Sequence, residues 1–199
     1  VTVNSLPVAN AGSDTAICAG QSITLTASGG TTYQWDDASN AALRTVTPVT
    51  ATTYSVTVTN AASCTATDQV VVSINTVPVI SAGVDTAICT GNSITLTATG
   101  GNTYSWDDLS TAATRLVSPA TVTTYTVTGT DAVGCSATDQ VVVSINTVPV
   151  ISAGVDTAIC AGNSITLTAT GGNTYLWDDL STAATRLVSP ATITTYTVT

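Results

Sequence analysis

The five cysteines are the residues of this chain best suited to chemistry, and they form two sets. Cys18, Cys89 and Cys160 follow one another at intervals of 71 residues, and the same interval separates Cys64 from Cys135. The chain has no histidine and no Cys-x-x-Cys pair, so the usual ligand sets for zinc are missing. Cysteines at such repeated positions favour disulfide bonds and an oxidising compartment.

The odd number of cysteines follows from a repeat that is not used a whole number of times. The tryptophans and arginines keep the same 71-residue interval: Trp35, Trp106, Trp177, Arg44, Arg115 and Arg186. The segment VPVISAGVDTAIC occurs unchanged at 77–89 and 148–160. Tandem copies of one unit predict an array in which each copy packs mainly on its neighbours.

The register of the copies predicts the domain boundaries. We expect residues 1–4 to be the end of a preceding repeat, since VTVN aligns with VSIN. Complete repeats are expected at 5–75 and 76–146. The third repeat, 147–199, is expected to be incomplete, without its last strand and second cysteine. The whole sequence is therefore interpreted as a segment of a longer array.

Composition excludes several classes of function. The chain has three arginines, no lysine and twelve acidic residues, giving a net charge of −9, which argues against nucleic-acid binding. Without lysine or histidine, few groups are left for acid–base catalysis, so no enzyme activity and no cofactor are expected. No apolar run reaches the length of about 18 residues that predicts a membrane span.

Strand signals recur every eight to twelve residues, and no segment has a helical period. In the first repeat we predict a broken first strand at 7–18 (A and A′). The other strands are predicted at 22–27 (B), 31–37 (C), 43–48 (E), 52–60 (F) and 64–75 (G). About seven short strands predict an all-β, immunoglobulin-like sandwich of two packed sheets.

Two aromatic residues refine this prediction. Trp35 lies in strand C, where such sandwiches bury a tryptophan, and it shares a face with Tyr33. Burial in the core is therefore favoured over a sugar-stacking platform. Tyr54 opens strand F and is predicted to form a tyrosine corner, in which its hydroxyl bonds back to the chain.

Three quoted segments resemble a known class of protein. ANAGSDTAICAG, SITLTASGGTTYQW and TTYSVTVTNAASCTATDQVVVSIN are similar to the PKD/Ig-like tandem repeats of large secreted surface proteins of Bacteroidota. These include adhesins of gliding motility that are exported by the type IX system. The resemblance covers the whole chain and implies an extracellular, cell-surface location. The chain departs from the PKD pattern WDFGDG, because it has WDDAS or WDDLS after the tryptophan.

Two disulfide schemes remain open. Pairing within repeats would join Cys18 to Cys64 and Cys89 to Cys135. In a sandwich, however, Cys18 falls at the opposite end of the unit from Cys64, about 20 Å away along six strand residues, whereas a disulfide needs Cα atoms within about 7 Å. The junction brings the end of one repeat near the F–G turn of the next, which favours Cys18 with Cys135.

Two further sets of residues are candidate sites. Asp36, Asp107 and Asp178 each precede a second aspartate and are weak candidates for calcium. Adjacent residues of a strand point to opposite faces, so pairing of one aspartate with Arg44 is the favoured alternative. Thr15, Thr86 and Thr157 lie in Asp-Thr-Ala, which resembles the O-glycosylation signal of Bacteroidota.

The favoured function is structural: the repeat region of an extracellular fibre or adhesin stalk. The alternative is a carbohydrate- or protein-binding module. The second and third repeats are near copies even in their loops, apart from Ser105 against Leu176, which favours the structural function. Expected partners are neighbouring repeats of the same chain, further copies in a homopolymer or filament, and surface glycans.

Overall fold

The computed structural model describes all 199 residues and consists of strands and turns, with no helix. The first repeat contains β1 (Thr15–Cys18), β2 (Ile23–Thr26), β3 (Thr32–Trp35), β4 (Leu43–Val46), β5 (Thr52–Thr59) and β6 (Thr65–Asn75). The second contains β7 (Thr86–Cys89), β8 (Ile94–Thr97), β9 (Thr103–Trp106), β10 (Thr114–Val117), β11 (Thr123–Thr130) and β12 (Ser136–Asn146). The third contains β13 (Ile165–Thr168) and β14 (Thr185–Val188).

The first two repeats have the same two sheets. One sheet has the order β1-β6-β5-β3 and the other pairs β2 with β4, and the second repeat reproduces both. All neighbours are antiparallel except β1 and β7, which run parallel to β6 and β12. The two sheets enclose one apolar core per repeat, so the prediction of tandem immunoglobulin-like sandwiches is confirmed.

Side-chain alternation places the core. Along β5, Tyr54, Val56 and Val58 are buried, while the residues between them are partly exposed. Val70 and Val72 of β6 and Trp35 of β3 complete the same face. No polar or charged residue is buried in the chain, so these contacts are uniformly apolar. Burial of each valine contributes about 1.5–3 kcal/mol.

The first predicted strand is only half present. Residues 15–18 form β1, but the segment before it makes a single bridge, Asn10 to Ser28. The seven predicted strands are therefore six strands and one bridge. The bridge allows the chain to cross close to Gly29, whose φ is +99° and whose missing Cβ leaves room for the carbonyl of Val8.

The third repeat has a smaller core. Only Ala169, Trp177 and Val188 are buried there. A groove of about 660 Å³ lies between residues 153–159 and 190–196. The equivalent residues of the first two repeats are covered by β6 and β12, and the third repeat has no equivalent strand.

Candidate functional site: the cysteine link between repeats

Cys18 lies at the end of the first repeat from which the chain passes to the second. It is the last residue of β1 and stands opposite Asn75, the last residue of β6. The Asp14 carboxylate accepts a hydrogen bond of 2.8 Å from the Val71 N–H, which fixes β1 against β6. The parallel pairing therefore positions Cys18 at the junction.

Cys135 is held by the turn that precedes β12. Oδ1 of Asp131 accepts hydrogen bonds from the N–H groups of Val133 (3.0 Å) and Cys135 (2.9 Å). Gly134 completes the turn with a φ of +91°, a conformation that favours glycine. Cys135 itself is 0 % exposed, whereas the equivalent Cys64 is partly exposed.

The structure contains a disulfide bond between Cys18 and Cys135, with a Cα–Cα distance of 5.6 Å and a sequence separation of 117 residues. The bond joins the base of the first repeat to the β11–β12 turn of the second. The alternative pairs, Cys18 with Cys64 and Cys89 with Cys135, are not formed. Cys64 precedes the first residue of β6 and Cys18 stands opposite its last. Eleven strand residues separate these ends by about 35 Å, more than the 20 Å expected from six.

The other three cysteines are free thiols: Cys64, Cys89 and Cys160. Cys89 stands opposite Asn146 at the end of β12, as Cys18 stands opposite Asn75. The Cys64 N–H donates a hydrogen bond to Oδ1 of Asn60, as the Cys135 N–H does to Oδ1 of Asp131. Cys64 and Cys89 are therefore placed in their own repeats like the two bonded cysteines, whereas Cys160 lies outside any strand.

A second conserved arrangement within the chain surrounds each arginine. The Arg44 guanidinium lies 4.8 Å from the centre of the Tyr54 ring and 5.7 Å from that of Trp35. It also makes ion pairs with both Asp36 and Asp37. Its side chain is 13 % exposed, so the stem packs on the apolar face as its strand parity predicts. Arg115 and Arg186 have the same contacts.

The interpretation that only one aspartate reaches the arginine was wrong. Asp36 and Asp37 lie in a turn after β3, not in the strand, so both side chains can face one guanidinium. The calcium candidates Asp36, Asp107 and Asp178 are all paired to arginine in this way. No group of three or more acidic or cysteine side chains is arranged to hold a metal ion.

Hydrogen bonds within the turn also lower a pKa. In the second repeat the Ser110 hydroxyl donates to Oδ1 of Asp108 at 2.6 Å, and the Ser110 N–H donates to the same atom at 3.0 Å. The hydroxyl first, then the N–H and the Arg115 guanidinium, hold the pKa of Asp108 below its ordinary value. Asp179 has a lowered pKa for the same reasons, from Ser181 and Arg186.

The tryptophans are unavailable as a sugar platform. Trp106 is 2 % exposed, and its indole N–H donates to the Ala112 carbonyl at 3.0 Å, so the prediction of a core position is confirmed. The predicted tyrosine corner was wrong: the Tyr54 ring packs under Arg44, and its hydroxyl makes no hydrogen bond to the chain. The hydroxyl of Tyr33 bonds locally instead, donating to the Gly30 carbonyl.

The candidate glycosylation sites are in three equivalent places. Thr15 and Thr86 are the first residues of β1 and β7 and are partly exposed. Thr157 lies outside any strand and is exposed. Each follows an aspartate. The carboxylates of Asp14 and Asp85 accept hydrogen bonds from backbone N–H groups of β6 and β12, respectively.

One pair of functional contacts was missed from the sequence. The carboxylates of Asp68 and Asp139 accept hydrogen bonds of 2.8 Å from the N–H groups of Ala11 and Ala82. These bonds provide an acceptor for buried backbone N–H groups near the start of each repeat, where no strand pairing does so. The available signal was an acidic residue, repeated at the 71-residue interval, within an otherwise uncharged strand.

The chain has structural neighbours but no match among families. No protein-family model matches it, and no curated protein does. The N-terminal eight Ig domains of Down Syndrome Cell Adhesion Molecule match with 17% identity and a TM-score of 0.38, over 86% of this chain and 33% of that one. An I-band fragment of titin matches with 14% identity and a TM-score of 0.38, over 88% and 79%. IG1 and IG2 of DIP-gamma match with 15% identity and a TM-score of 0.30, over 71% and 98%. Because these identities and TM-scores are low, the assignment of the fold is based on the strand order described above. The structure has no helix of the length and hydropathy that a membrane span requires.

Proposed function

We propose that this chain is the repeat region of an extracellular surface fibre or adhesin stalk, with a structural and non-catalytic role. The observation that carries the proposal is the disulfide between Cys18 and Cys135, which joins successive repeats. A bond between neighbours limits bending and rotation at the junction. A bond within one repeat would leave the junction free. The arrangement therefore serves to hold repeats in line.

The chemistry of the surface supports an extracellular location. A disulfide persists in oxidising surroundings, and a net charge of −9 favours solubility of a long array. The sequence resemblance extends the proposal to secreted, PKD-like surface proteins of Bacteroidota, including gliding adhesins of the type IX route. Repeats at 5–75, 76–146 and 147–199, preceded by a fragment at 1–4, are the proposed units.

The proposed partners are neighbouring repeats, further copies of the chain in a filament, and surface glycans. O-linked glycans on Thr15, Thr86 and Thr157 would protect the exposed ends of the repeats. Neither nucleic acid nor a membrane span has a place in this proposal.

Labelling of intact cells tests the location. An antibody raised against the 199-residue chain should decorate fibres that extend from the surface of the producing cells in electron micrographs. Antibody absorbed beforehand with the purified chain is the control and should leave the fibres bare. Labelling confined to the cell interior would contradict the proposal.

Binding of a protein partner remains a second candidate because of one feature of the loops. Leu109 and Leu180 are 83 % and 77 % exposed and have φ values of +67° and +68°. Exposure of a leucine side chain to water is unfavourable, and so is a positive φ at a residue other than glycine. The equivalent Ala38, with a φ of +65°, shows that the turn does not require leucine.

This candidate has its own test. Beads coated with the chain should adhere to target cells, and Leu109→Ala with Leu180→Ala should abolish the adhesion without lowering the urea midpoint of unfolding. Leu116→Ala, at another exposed leucine, is the matched control. Equal adhesion of all three coatings would remove the loops as a binding site.

A further inference from the structure

We propose that the Cys18–Cys135 bond carries tension along the chain and keeps residues 19–134 out of the path of the force. The inference rests on the proposed function, because a surface fibre is pulled along its length. It adds to that function a device that limits extension.

The path of the force follows from connectivity. Tension applied at the two ends reaches Cys18 along the backbone, crosses the disulfide to Cys135 and continues towards Thr199. The disulfide closes the residues between the two cysteines into a loop, and the force bypasses this loop by crossing the bond. Ten strands, β2 to β11, lie in this loop. Hydrogen bonds that hold those strands together are therefore not loaded.

Only two strands of the first two repeats remain in the path. The first is β1, with four residue pairs to β6 and two supporting carboxylate contacts, from Asp14 and Asp68. The second is β12, with eight residue pairs to β11 and four to β7. These strands can be pulled away one after the other, whereas the disulfide is covalent and holds.

The two repeats differ in what they lose. Removal of β1 leaves β6 in place, so the first repeat keeps Val70 and Val72 in its core. Removal of β12 takes Val141 and Val143 out of the second core. Detachment of β12 therefore opens the core of the second repeat, whereas detachment of β1 leaves these valines of the first core in place.

The bond sets a limit on extension. A separation of 117 residues corresponds to roughly 400 Å of fully extended chain. While the bond is intact, the same two residues stay 5.6 Å apart at their Cα atoms. The unloaded strands stay next to one another and can re-form the sandwich when the tension falls.

Single-molecule stretching of the full chain tests this inference. Cysteine-free handles are attached before Val1 and after Thr199, and the contour length at full extension is measured without reductant. The wild-type chain should be roughly 400 Å shorter than the variant Cys18→Ser with Cys135→Ser. Dithiothreitol should remove this difference. Because contour length at full extension does not depend on folding, a serine variant that fails to fold gives the same reading.

Two controls separate the alternatives. Cys64→Ser should leave the wild-type shortfall unchanged, and non-reducing peptide mapping should recover the Cys18 peptide joined to that of Cys135. Equal contour lengths for wild type and double variant would overturn the inference. So would a shortfall that becomes smaller in Cys64→Ser, because it would place the bond within a repeat. A normal shortfall together with negative cell labelling would overturn the fibre proposal and leave the link in place.

Discussion

Ile80 covers Gly129, and its side chain occupies the space that a Cβ on the glycine would need. The equivalent pair in the first repeat is Ala9 and Val58. In the second repeat, the large residue lies near the start of the repeat and the small one lies in β11. In the first repeat, the small residue lies near the start and the large one lies in β5. The two combinations fill the same part of the core in opposite ways.

This relationship predicts a coupled pair of substitutions. Gly129→Val should destabilise the second repeat by about 1–3 kcal/mol, because the new side chain meets Ile80. Ile80→Ala should cost about 2–5 kcal/mol through the cavity that it leaves. The double variant reproduces the first repeat's pair and should be more stable than the sum of the two losses predicts. Urea unfolding measures all three, and strict additivity would contradict the prediction.

The tryptophan prediction concerns the centre of the core. Trp106→Ala should lower the free energy of unfolding by about 3–5 kcal/mol, since it removes a buried ring and its indole hydrogen bond. Leu109→Ala, three residues later and 83 % exposed, is the control and should change it by less than about 0.5 kcal/mol. A loss below about 1 kcal/mol for Trp106→Ala would mean that the ring is not a core residue.

Asp139 of β12 should contribute more to the stability of the second repeat than Asp85, which directly precedes β7. Asp139→Ala leaves the N–H of Ala82, a residue 1% exposed, without its acceptor and should cost about 1–3 kcal/mol. Asp85→Ala removes an equally short bond to Val142, but in an exposed place where water can replace it. Thermal unfolding of the two variants compares them. An equal or larger loss for Asp85→Ala would refute the importance of burial.

The turn after β9 gives a prediction about pH. The pKa of Asp108 is lowered from its ordinary value of 3.8, so its contacts stabilise the fold above that value. Their contribution is lost as the pH falls through the lowered pKa. Ser110→Ala removes the hydroxyl donor and should move the pKa of Asp108 upwards. Carboxyl-carbon NMR titration reads the change, with Asp179 in the unaltered third repeat as the internal reference. No difference in Asp108 between the two proteins would contradict this account.

Glycosylation remains a prediction at three threonines. Chain purified from the producing organism should carry hexose-containing adducts on Thr15, Thr86 or Thr157, and recombinant chain made in a host without the pathway should not. Glycopeptide mass spectrometry locates the adducts. Unmodified threonine at all three positions would remove glycans from the proposal.

Features with a strict periodicity could be predicted from the sequence. The alternation of Tyr54, Val56 and Val58 placed β5 correctly, and the 71-residue interval predicted two sandwiches with the same sheets. Contacts that depend on the exact ends of the strands were not accessible in this way. The ion pairs of Arg44 with both aspartates depend on where β3 ends, and two residues of difference changed which faces they share.

The tyrosine shows the same limit. Tyr54 lies where a tyrosine corner begins, but an arginine from β4 packs over its ring. The sequence has no local signal for this contact, because it joins residues ten apart through the packing of two sheets. The link of Asp139 to Ala82 likewise spans 57 residues.

The position of Cys18 opposite Asn75 has a consequence for the order of folding and oxidation. Cys64 is nearer to Cys18 in sequence than Cys135 is, so in the unfolded chain it is the partner that Cys18 meets more readily. Formation of β6 places these two thiols at opposite ends of the first repeat. Folding of the first repeat before its thiols are oxidised therefore protects Cys18 from the wrong partner. A destabilised first repeat would be expected to be oxidised incorrectly even though every cysteine is present.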